Sequence, residues 1–381
     1  MIRCTLLLLA LAMSSCSLRL PAAKEGNLSR AGAEAALRAL WSERQSQLKG
    51  ERAAELQART MELAGKTLRW EERVFGEAPT NGRSLWISMH GGGNARARVN
   101  DRQWTNQISL YQPAEGIYVA PRAPTDTWNL WHEAHIDPMF DRLIEDYVVL
   151  RGVNPDRVYI LGYSAGGDGV WQLAPRMADR WAAAAMMAGH PNEASLLPLR
   201  NLPFALFVGG NDAAYNRNKV VAERAAELDK LREADRDGYE HLARIYEGLP
   251  HWMNRMDAEA LPWMAEHKRN PWPKKVVWFQ DDVTHTRFYW LAVPAAEARA
   301  GNKIVAEVDG QNIVLTGDVP KGMILRLSDV LLNLDRTVRV LVNGREVFQG
   351  RVPRRTEAIR ESLQERADPR SAATAELVLE W

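Results

Sequence analysis

The feature that most constrains the fold is a buried-strand run leading directly into a glycine-flanked serine. Residues 158–161 are Val-Tyr-Ile-Leu, and Gly162-Tyr-Ser-Ala-Gly166 follows them. This pentapeptide fits G-x-S-x-G, a sharp strand-to-helix turn that lifts one serine hydroxyl clear of the backbone. Gly167 adds a further glycine to the turn. We therefore predict that Ser164 is a nucleophile and that a helix runs on to about Met177. The alternative is a plain glycine-rich turn.

Apolar runs of strand length alternate with helical patterns on both sides of this turn. The strand-like runs lie at 66–75, 85–89, 116–121, 182–188, 204–208 and 241–246, and the helical patterns at 137–152, 218–234 and 257–268. Such alternation indicates βαβ units with right-handed crossovers. We therefore predict an α/β fold with a doubly wound, mostly parallel sheet and helices on both faces. Its ligand site should lie at the carboxyl ends of the strands.

The chain is too long for one ordinary domain, since 381 residues correspond to two or three. We predict a helical segment over 17–65, made of one or two amphipathic helices that are interrupted near Gly50. An α/β domain over 66–270 follows, and a β-rich domain over 271–381 completes the chain.

The predicted C-terminal domain contains short strand-like runs, among them residues 288–293. Asn343-Gly344 separates two such runs, and this dipeptide supplies the positive φ pair of a type I′ hairpin. We predict a small antiparallel β unit, a helix over 357–366 and a final strand over 375–381.

Charge balance and cysteine content limit the classes of partner and catalyst. Lys plus Arg number 49 and Asp plus Glu 48, so electrostatics give no reason to expect a nucleic-acid partner or an acidic membrane face. The two cysteines, Cys4 and Cys16, lie in the first 16 residues. We therefore expect neither a disulfide framework nor a thiol catalyst in the folded protein. The sequence predicts no oligomeric state.

Residues 1–16 have the pattern of an export signal. Arg3 gives a positive start, and residues 5–13 form an apolar run that is too short to span a bilayer. The following Met13-Ser-Ser-Cys16 resembles a bacterial lipoprotein cleavage box, with Met13 where Leu is usual. We predict export to the cell envelope with lipid attachment at Cys16, and a periplasmic or secreted protein if that lipid is absent. The alternative is an uncleaved apolar N-terminus.

A serine nucleophile needs a base that takes its proton and a carboxylate that orients the base. Asp212 lies at the end of the strand-like run 204–208, in Val208-Gly-Gly-Asn-Asp212, and His251 follows the next run within a Gly/Pro-rich turn. The chain order Ser, Asp, His is that of the α/β-hydrolases. We predict Asp212 as the acid and His251 as the base. The rival histidine, His190, also follows a strand but precedes the aspartate, so we expect it in the pocket wall.

His90-Gly-Gly-Gly93 follows an early strand, where glycines let backbone N–H groups point at a developing oxyanion. We predict that backbone N–H groups of Gly91, Gly92 and Ala165 bind the oxyanion. The sequence does not decide which of Gly91, Gly92 and Gly93 donates. A flexible loop is the alternative.

The substrate pocket is expected to draw on aromatic and histidine side chains near these motifs. The predicted substrate-binding residues are His90, Tyr163, Trp128, Trp131, His190 and Trp252. We expect Asp168 to be a helix residue beside the site.

No metal site or cofactor is predicted. His132-Glu-Ala-His135 places its histidines three residues apart in a loop, whereas the zincin pattern needs His at i and i+4 on a helix. We therefore interpret these two histidines as residues at the rim of the site.

Together these motifs resemble α/β-hydrolases of the carboxylesterase, dienelactone hydrolase and polyester-depolymerase type. The resemblance covers roughly residues 66–270 and depends on HGGG at 90, GYSAGG at 162, GGND at 209 and PHW at 250. It implies Ser164, Asp212 and His251 as nucleophile, acid and base. Beyond residue 270 the chain resembles the appended β domain of bacterial hydrolases.

The expected activity is cleavage of a small-molecule or polymeric carboxylic ester. Because this fold also hosts peptidases and non-catalytic proteins, two alternatives stay open. One is a serine peptidase of the prolyl-oligopeptidase type, and the other is an envelope binding protein on a hydrolase scaffold.

Overall fold

The computed structural model describes residues 27–381 and places the predicted sheet at their centre. The sheet has eight strands in the order β1-β2-β4-β3-β5-β6-β7-β8. The strands are β1 (Thr60–Leu63), β2 (Lys66–Phe75), β3 (Arg83–Met89), β4 (Gly116–Arg122), β5 (Val153–Tyr163), β6 (Ala183–Met187), β7 (Phe204–Gly209) and β8 (His241–Tyr246). Strands β3 to β8 run parallel, and β1 and β2 extend one edge in antiparallel pairing.

Helices cover both faces of this sheet. The helices are α1 (Arg30–Ala58), α2 (Ala97–Ile108), α3 (Ile136–Arg151), α4 (Ala165–Arg176), α5 (Arg217–Ala234), α6 (Ala260–Ala265) and α7 (Thr356–Glu365). Alternate residues of the central strands point to opposite sides, as the pleat requires. Ile87 packs in the same core cluster as residues of α3, α4 and α5, whereas Trp86 packs in the cluster that contains residues of α6. The predicted doubly wound α/β fold with a mostly parallel sheet is therefore confirmed.

Two further sheets follow in the C-terminal part. The strands are β9 (Lys275–Phe279), β10 (Arg287–Phe288), β11 (Leu291–Ala292), β12 (Lys303–Asp309), β13 (Asn312–Gly317), β14 (Ile324–Leu327), β15 (Val338–Val342), β16 (Arg345–Gly350) and β17 (Ala375–Val378). The orders are β16-β15-β13-β12-β9 and β10-β11-β14-β17. Asn343 and Gly344 both have positive φ and join β15 to β16, which confirms the predicted hairpin. The domain division at residue 270 stays a prediction.

Two predictions about the C-terminal strands are wrong. The predicted small β unit is not wholly antiparallel. Strand β14 belongs to the sheet β10-β11-β14-β17, so β13 pairs with β15 instead, and that pair is parallel. The run 288–293 is not one strand either, since the chain turns at Tyr289, whose φ is 53°. Tertiary contacts hold this turn: Tyr289 donates from its N–H to Asp179 Oδ2 (3.0 Å) and from its hydroxyl to the carbonyl of Ala178 (3.2 Å).

Two helical expectations also fail. Helix α1 runs unbroken through Gly50, although a helical glycine costs about 1 kcal/mol. Its buried residues Leu48 and Leu56 lie on either side of that glycine, so packing outweighs the local preference. Helix α2 was not expected, because its buried residues are the polar Asn100 and Gln107 and it shows no apolar stripe.

Buried ion pairs connect the C-terminal segment to the central sheet. Asp368 accepts from Arg269 Nη2 (2.7 Å), and the same guanidinium reaches Asp156 Oδ1 on β5 (2.8 Å). Asp368 also accepts from the Ser371 hydroxyl (2.8 Å). Burial alone would raise the pKa of Asp368, but Arg269 and Arg180 together hold it below its ordinary value.

We expect Asp368→Ala to lower the free energy of unfolding by about 3–5 kcal/mol, because it leaves the Arg269 charge buried with one partner fewer. Because the folded carboxyl has a depressed pKa, its contribution is complete above the unfolded pKa of about 3.9. That contribution declines as pH falls below this value toward the folded pKa. Urea unfolding at pH 7 and pH 3 measures both effects. The exposed Asp309→Ala is the control, and an equal loss of stability in the two variants would contradict the assignment.

Candidate active site

Strand β5 turns into helix α4 at Ser164, whose φ of 59° and ψ of −121° are strained for a residue with a side chain. The flanking glycines permit this turn. A Cβ at Gly162 would lie 2.2 Å from the carbonyl oxygen of Gly166, and one at Gly166 would lie 2.1 Å from that of Met89. The two glycines of the pentapeptide are therefore required by close backbone approach, and the serine Oγ stands at the carboxyl edge of the sheet.

The structure brings the predicted nucleophile, acid and base together. Asp212 follows β7 and His251 follows β8, so both lie at the same sheet edge as Ser164. His251 Nδ1 lies 2.7 Å from Asp212 Oδ2, and His251 Nε2 lies 3.0 Å from Ser164 Oγ. With Nδ1 protonated, the ring donates to the carboxylate and accepts the serine proton. This is the geometry that general-base activation of a hydroxyl requires.

Arg217 is a neighbour of the acid that sequence reasoning missed. Its Nη1 lies 3.7 Å from Asp212 Oδ1, the oxygen that does not face His251. Its guanidinium also lies 4.8 Å from the ring centroid of Tyr215. Arg217 opens helix α5, and no motif marks it. The positive charge of Arg217 offsets the negative charge of the Asp212 carboxylate, which is almost fully buried.

The glycine loop after β3 lies directly against the nucleophile. A Cβ at Gly91 would lie 3.0 Å from Ser164 Cβ, so only glycine fits there without displacement. The N–H of Gly93 donates to Asn100 Oδ1 at 2.9 Å, which removes Gly93 from the candidate donors. Gly91 and Gly92 remain, opposite Ala165 at the first position of α4. An oxyanion beside Ser164 would also face the positive end of that helix.

Asn100 supports this loop from the unexpected helix α2. It is fully buried, accepts the Gly93 N–H and donates from Nδ2 to Asp126 Oδ1 (2.7 Å). The same carboxylate pairs with Arg122, whose Nε donates to Asp101 (2.8 Å). A buried asparagine outside any motif gives no sequence signal, so only the fold reveals this support.

We expect Asn100→Ala to lower kcat roughly tenfold or more with little change in KM. The loop loses the bond at Gly93, and the upper limit is about 10²–10³, the loss that follows removal of one oxyanion donor. Steady-state kinetics on an activated ester measure the effect, with Asn106→Ala on the exposed side of the same helix as the control. An unchanged kcat in Asn100→Ala would show that the loop keeps its geometry without this contact.

A cavity of about 400 Å³ opens at Ser164. Its walls are Gly92, Gly93, Asn94, Trp128, Ala165, Asp168, His190, Asn192, Tyr215 and Arg217. Trp128 and His190 lie where the sequence predicts them, in the pocket wall. Trp128 is 61% exposed at the rim. Tyr215, Asn192 and Arg217 were not predicted, because no recognised motif contains them.

Two residues predicted to bind substrate lie beneath the pocket instead of in its wall. His90 and Trp131 are fully buried, which corrects the prediction for both. The His90 ring bonds the carbonyl of Gly91 through Nδ1 (2.6 Å) and accepts the Ala123 N–H at Nε2 (3.1 Å). The Trp131 indole donates to the carbonyl of His90 (2.9 Å). Burial lowers the pKa of His90 to about 4, so its ring stays neutral and supports the glycine loop.

Tyr163 and Trp252 likewise do not line the cavity, which corrects their predicted role. Tyr163 is 7% exposed and its hydroxyl contacts the backbone of the His251 segment. Trp252 is 45% exposed and packs on the Tyr163 ring, with centroids 5.6 Å apart.

Asp168 and His190 form a second polar pair in the wall. The N–H of His190 donates to Asp168 Oδ1 (2.6 Å), and burial raises the pKa of Asp168 to about 6. Burial lowers the pKa of His190, whose Nδ1 accepts the Asn192 N–H (3.0 Å). His190 thus makes its hydrogen bonds within the wall, whereas His251 bonds the nucleophile.

His132 and His135 do not take part in a cluster of metal-ligand groups. In residues 27–381, the side chains that bring three ligand atoms within 4.8 Å of one another are Glu193, Asp281 and Asp282. Burial lowers the pKa of His132 to about 4, and its ring packs against Trp128. Exposed acidic groups of this kind are common without an ion, so no metal is inferred.

The predicted signal over 1–16 and the lipid site Cys16 lie outside the described residues. Among residues 27–381, no helix is both long enough and apolar enough to cross a membrane.

Comparisons with known proteins give structural matches to about half of the chain. Neither a protein-family model nor a curated protein matches the sequence. A thermostable esterase matches with 19% identity and a TM-score of 0.43 over 55% of this chain, which spans 62% of that protein. A ferulic acid esterase matches with 13% identity and a TM-score of 0.35. The match covers 54% of this chain and 96% of that protein. A dipeptidyl aminopeptidase IV homologue from Bacteroides ovatus matches with 13% identity and a TM-score of 0.39. The match covers 55% of this chain and 34% of that protein.

Proposed function

We propose that this chain is a serine hydrolase that cleaves carboxylic esters through an acyl-enzyme intermediate. The observation that carries the proposal is the pair of hydrogen bonds linking Ser164 Oγ, His251 and Asp212 beside a glycine loop. A serine hydroxyl is a weak nucleophile until an adjacent base accepts its proton, and this arrangement supplies the base and its orienting carboxylate.

In the first half-reaction, Ser164 Oγ attacks the ester carbonyl while its proton passes to His251 Nε2. The negative charge on the carbonyl oxygen is stabilised by the N–H groups of Ala165 and of Gly91 or Gly92. The C–O bond to the alcohol then breaks, and the imidazolium returns the proton to the departing alkoxide. Asp212 stabilises the imidazolium between these two transfers.

The second half-reaction repeats these steps with water. His251 removes a proton from the water as its oxygen attacks the acyl carbon. The bond to Ser164 Oγ breaks, and the serine oxygen takes the proton back from the imidazolium. The carboxylic acid leaves, and the enzyme is restored without a cofactor. The cavity beside Ser164 opens to solvent past Trp128 and Tyr215, which gives water and substrate a route to the serine.

The test compares p-nitrophenyl acetate and butyrate with peptide p-nitroanilides. Ester is the proposed substrate class because the sheets formed by residues 27–381 include no propeller that would restrict access to the serine. We expect kcat/KM for the esters to exceed that for the anilides at least 100-fold. Faster cleavage of the anilides would favour a peptidase. Absence of turnover of every substrate by folded protein would favour a binding function.

A further inference from the structure

We infer that Tyr163 is a positioning residue: its phenol fixes the backbone segment that carries the base His251 against the strand that carries the nucleophile. The inference rests on the proposed function, because it assigns His251 as the base. It replaces the expectation that Tyr163 contacts substrate.

The phenol makes two hydrogen bonds to this segment. Its hydroxyl donates to the carbonyl of His251 (2.6 Å) and accepts the N–H of Met253 (3.0 Å). The carbonyl and the N–H lie on either side of Trp252, so one oxygen holds the backbone on both sides of a single residue. Among the hydrogen bonds of residues 27–381, neither the His251 carbonyl nor the Met253 N–H has another backbone partner.

The segment needs such an anchor because its neighbouring backbone is irregular. Gly248, Asn254 and Arg255 all have positive φ, and no helix or strand includes residues 247–255. Bonds outside the segment hold its ends: Asn211 donates to the carbonyl of Leu249 (2.9 Å), and Tyr246 donates to that of Met256 (2.9 Å). Between these ends, the Tyr163 hydroxyl fixes the position of His251.

The surroundings of the phenol suit this role. Tyr163 is 7% exposed, and its ring packs edge-on against the His251 ring at 5.8 Å. Burial raises the pKa of the phenol above its ordinary value, so the hydroxyl keeps its proton at any working pH. Because Tyr163 precedes Ser164, the anchor is one residue from the nucleophile. A short path through the backbone therefore links Ser164 to the segment that carries His251.

The strand offers a matched control. Tyr159 also lies on β5, and its hydroxyl donates to the carbonyl of His267 (2.9 Å), away from the cavity. Tyr159→Phe and Tyr163→Phe each remove one phenol oxygen from β5 and its hydrogen bond to a backbone carbonyl elsewhere in the chain. We expect Tyr163→Phe to lower kcat for p-nitrophenyl butyrate by about 10- to 100-fold with KM within about twofold, because small misplacements of a catalytic group cost that much. We expect Tyr159→Phe to keep wild-type kcat, although it too loses a hydrogen bond to a backbone carbonyl.

A double-mutant cycle separates positioning of the base from general damage. If Tyr163 acts through His251, Tyr163→Phe has no further effect on the residual rate of His251→Ala. An equal loss in both backgrounds, or equal kcat values for the two tyrosine variants, would overturn the inference. If the proposed function is wrong, the wild-type protein itself is inactive. That result differs from the outcomes that overturn the role of Tyr163, so the two can be distinguished.

Discussion

Replacing Ser164 with alanine is expected to reduce ester turnover by about 10⁴- to 10⁶-fold, the range for loss of a nucleophile that works with its base. The change removes the oxygen that lies 3.0 Å from His251 Nε2 and leaves the backbone turn in place. Since alanine at this position keeps a Cβ, the strained φ is unchanged and the fold should persist. Steady-state rates on p-nitrophenyl butyrate measure the loss.

Ser109→Ala is the matched control, because Ser109 is exposed at the end of α2 and lines no part of the cavity. It should keep the wild-type rate. Circular dichroism and thermal melting should show both variants folded like the wild type. A Ser164→Ala protein with more than about a tenth of wild-type activity would remove Ser164 from the mechanism, since such a loss is only about 1.4 kcal/mol of transition-state stabilisation.

Replacing His251 with alanine is expected to have an effect of similar size. Without the ring, Ser164 keeps its proton, and no group in the cavity wall takes its place in line with Asp212. The remaining oxyanion donors should leave a residual rate about 10³–10⁴ above that in water. Added imidazole should restore part of the rate, because the substitution leaves space beside Ser164 for a diffusible base.

His190→Ala provides the comparison within the same cavity. His190 bonds Asp168 and Asn192, so we expect its removal to change kcat less than about tenfold and to act mainly on KM. If His190→Ala abolished turnover and His251→Ala did not, the base assignment would be wrong despite the observed distances.

The positions of Ser164, Asp212 and His251 could be predicted because each follows an apolar strand within a turn. Parallel strands end at one edge of the sheet, so three such turns converge whatever the details of packing. The close approaches at Gly162 and Gly166 likewise follow from a local pattern. The catalytic roles themselves stay predictions until the variants are measured.

Other parts of the site depend on tertiary contacts that no local pattern encodes. Asn100 reaches the glycine loop from a helix without an apolar stripe, and Arg217 meets Asp212 through the opening turn of α5. Trp131 was predicted to bind substrate because it lies in the same loop as Trp128, but its indole donates to the carbonyl of His90. The direction in which an aromatic side chain points from a loop is decided by packing, so sequence alone did not separate Trp128 from Trp131.

The most direct test of the central claim is reaction of the folded protein with a fluorophosphonate probe, followed by peptide mass mapping. The probe bonds covalently to a serine that a neighbouring base has activated. We expect stoichiometric labelling of the peptide that contains Ser164, and none in Ser164→Ala. Labelling at another residue, or an unlabelled wild-type protein that is folded, would contradict the account.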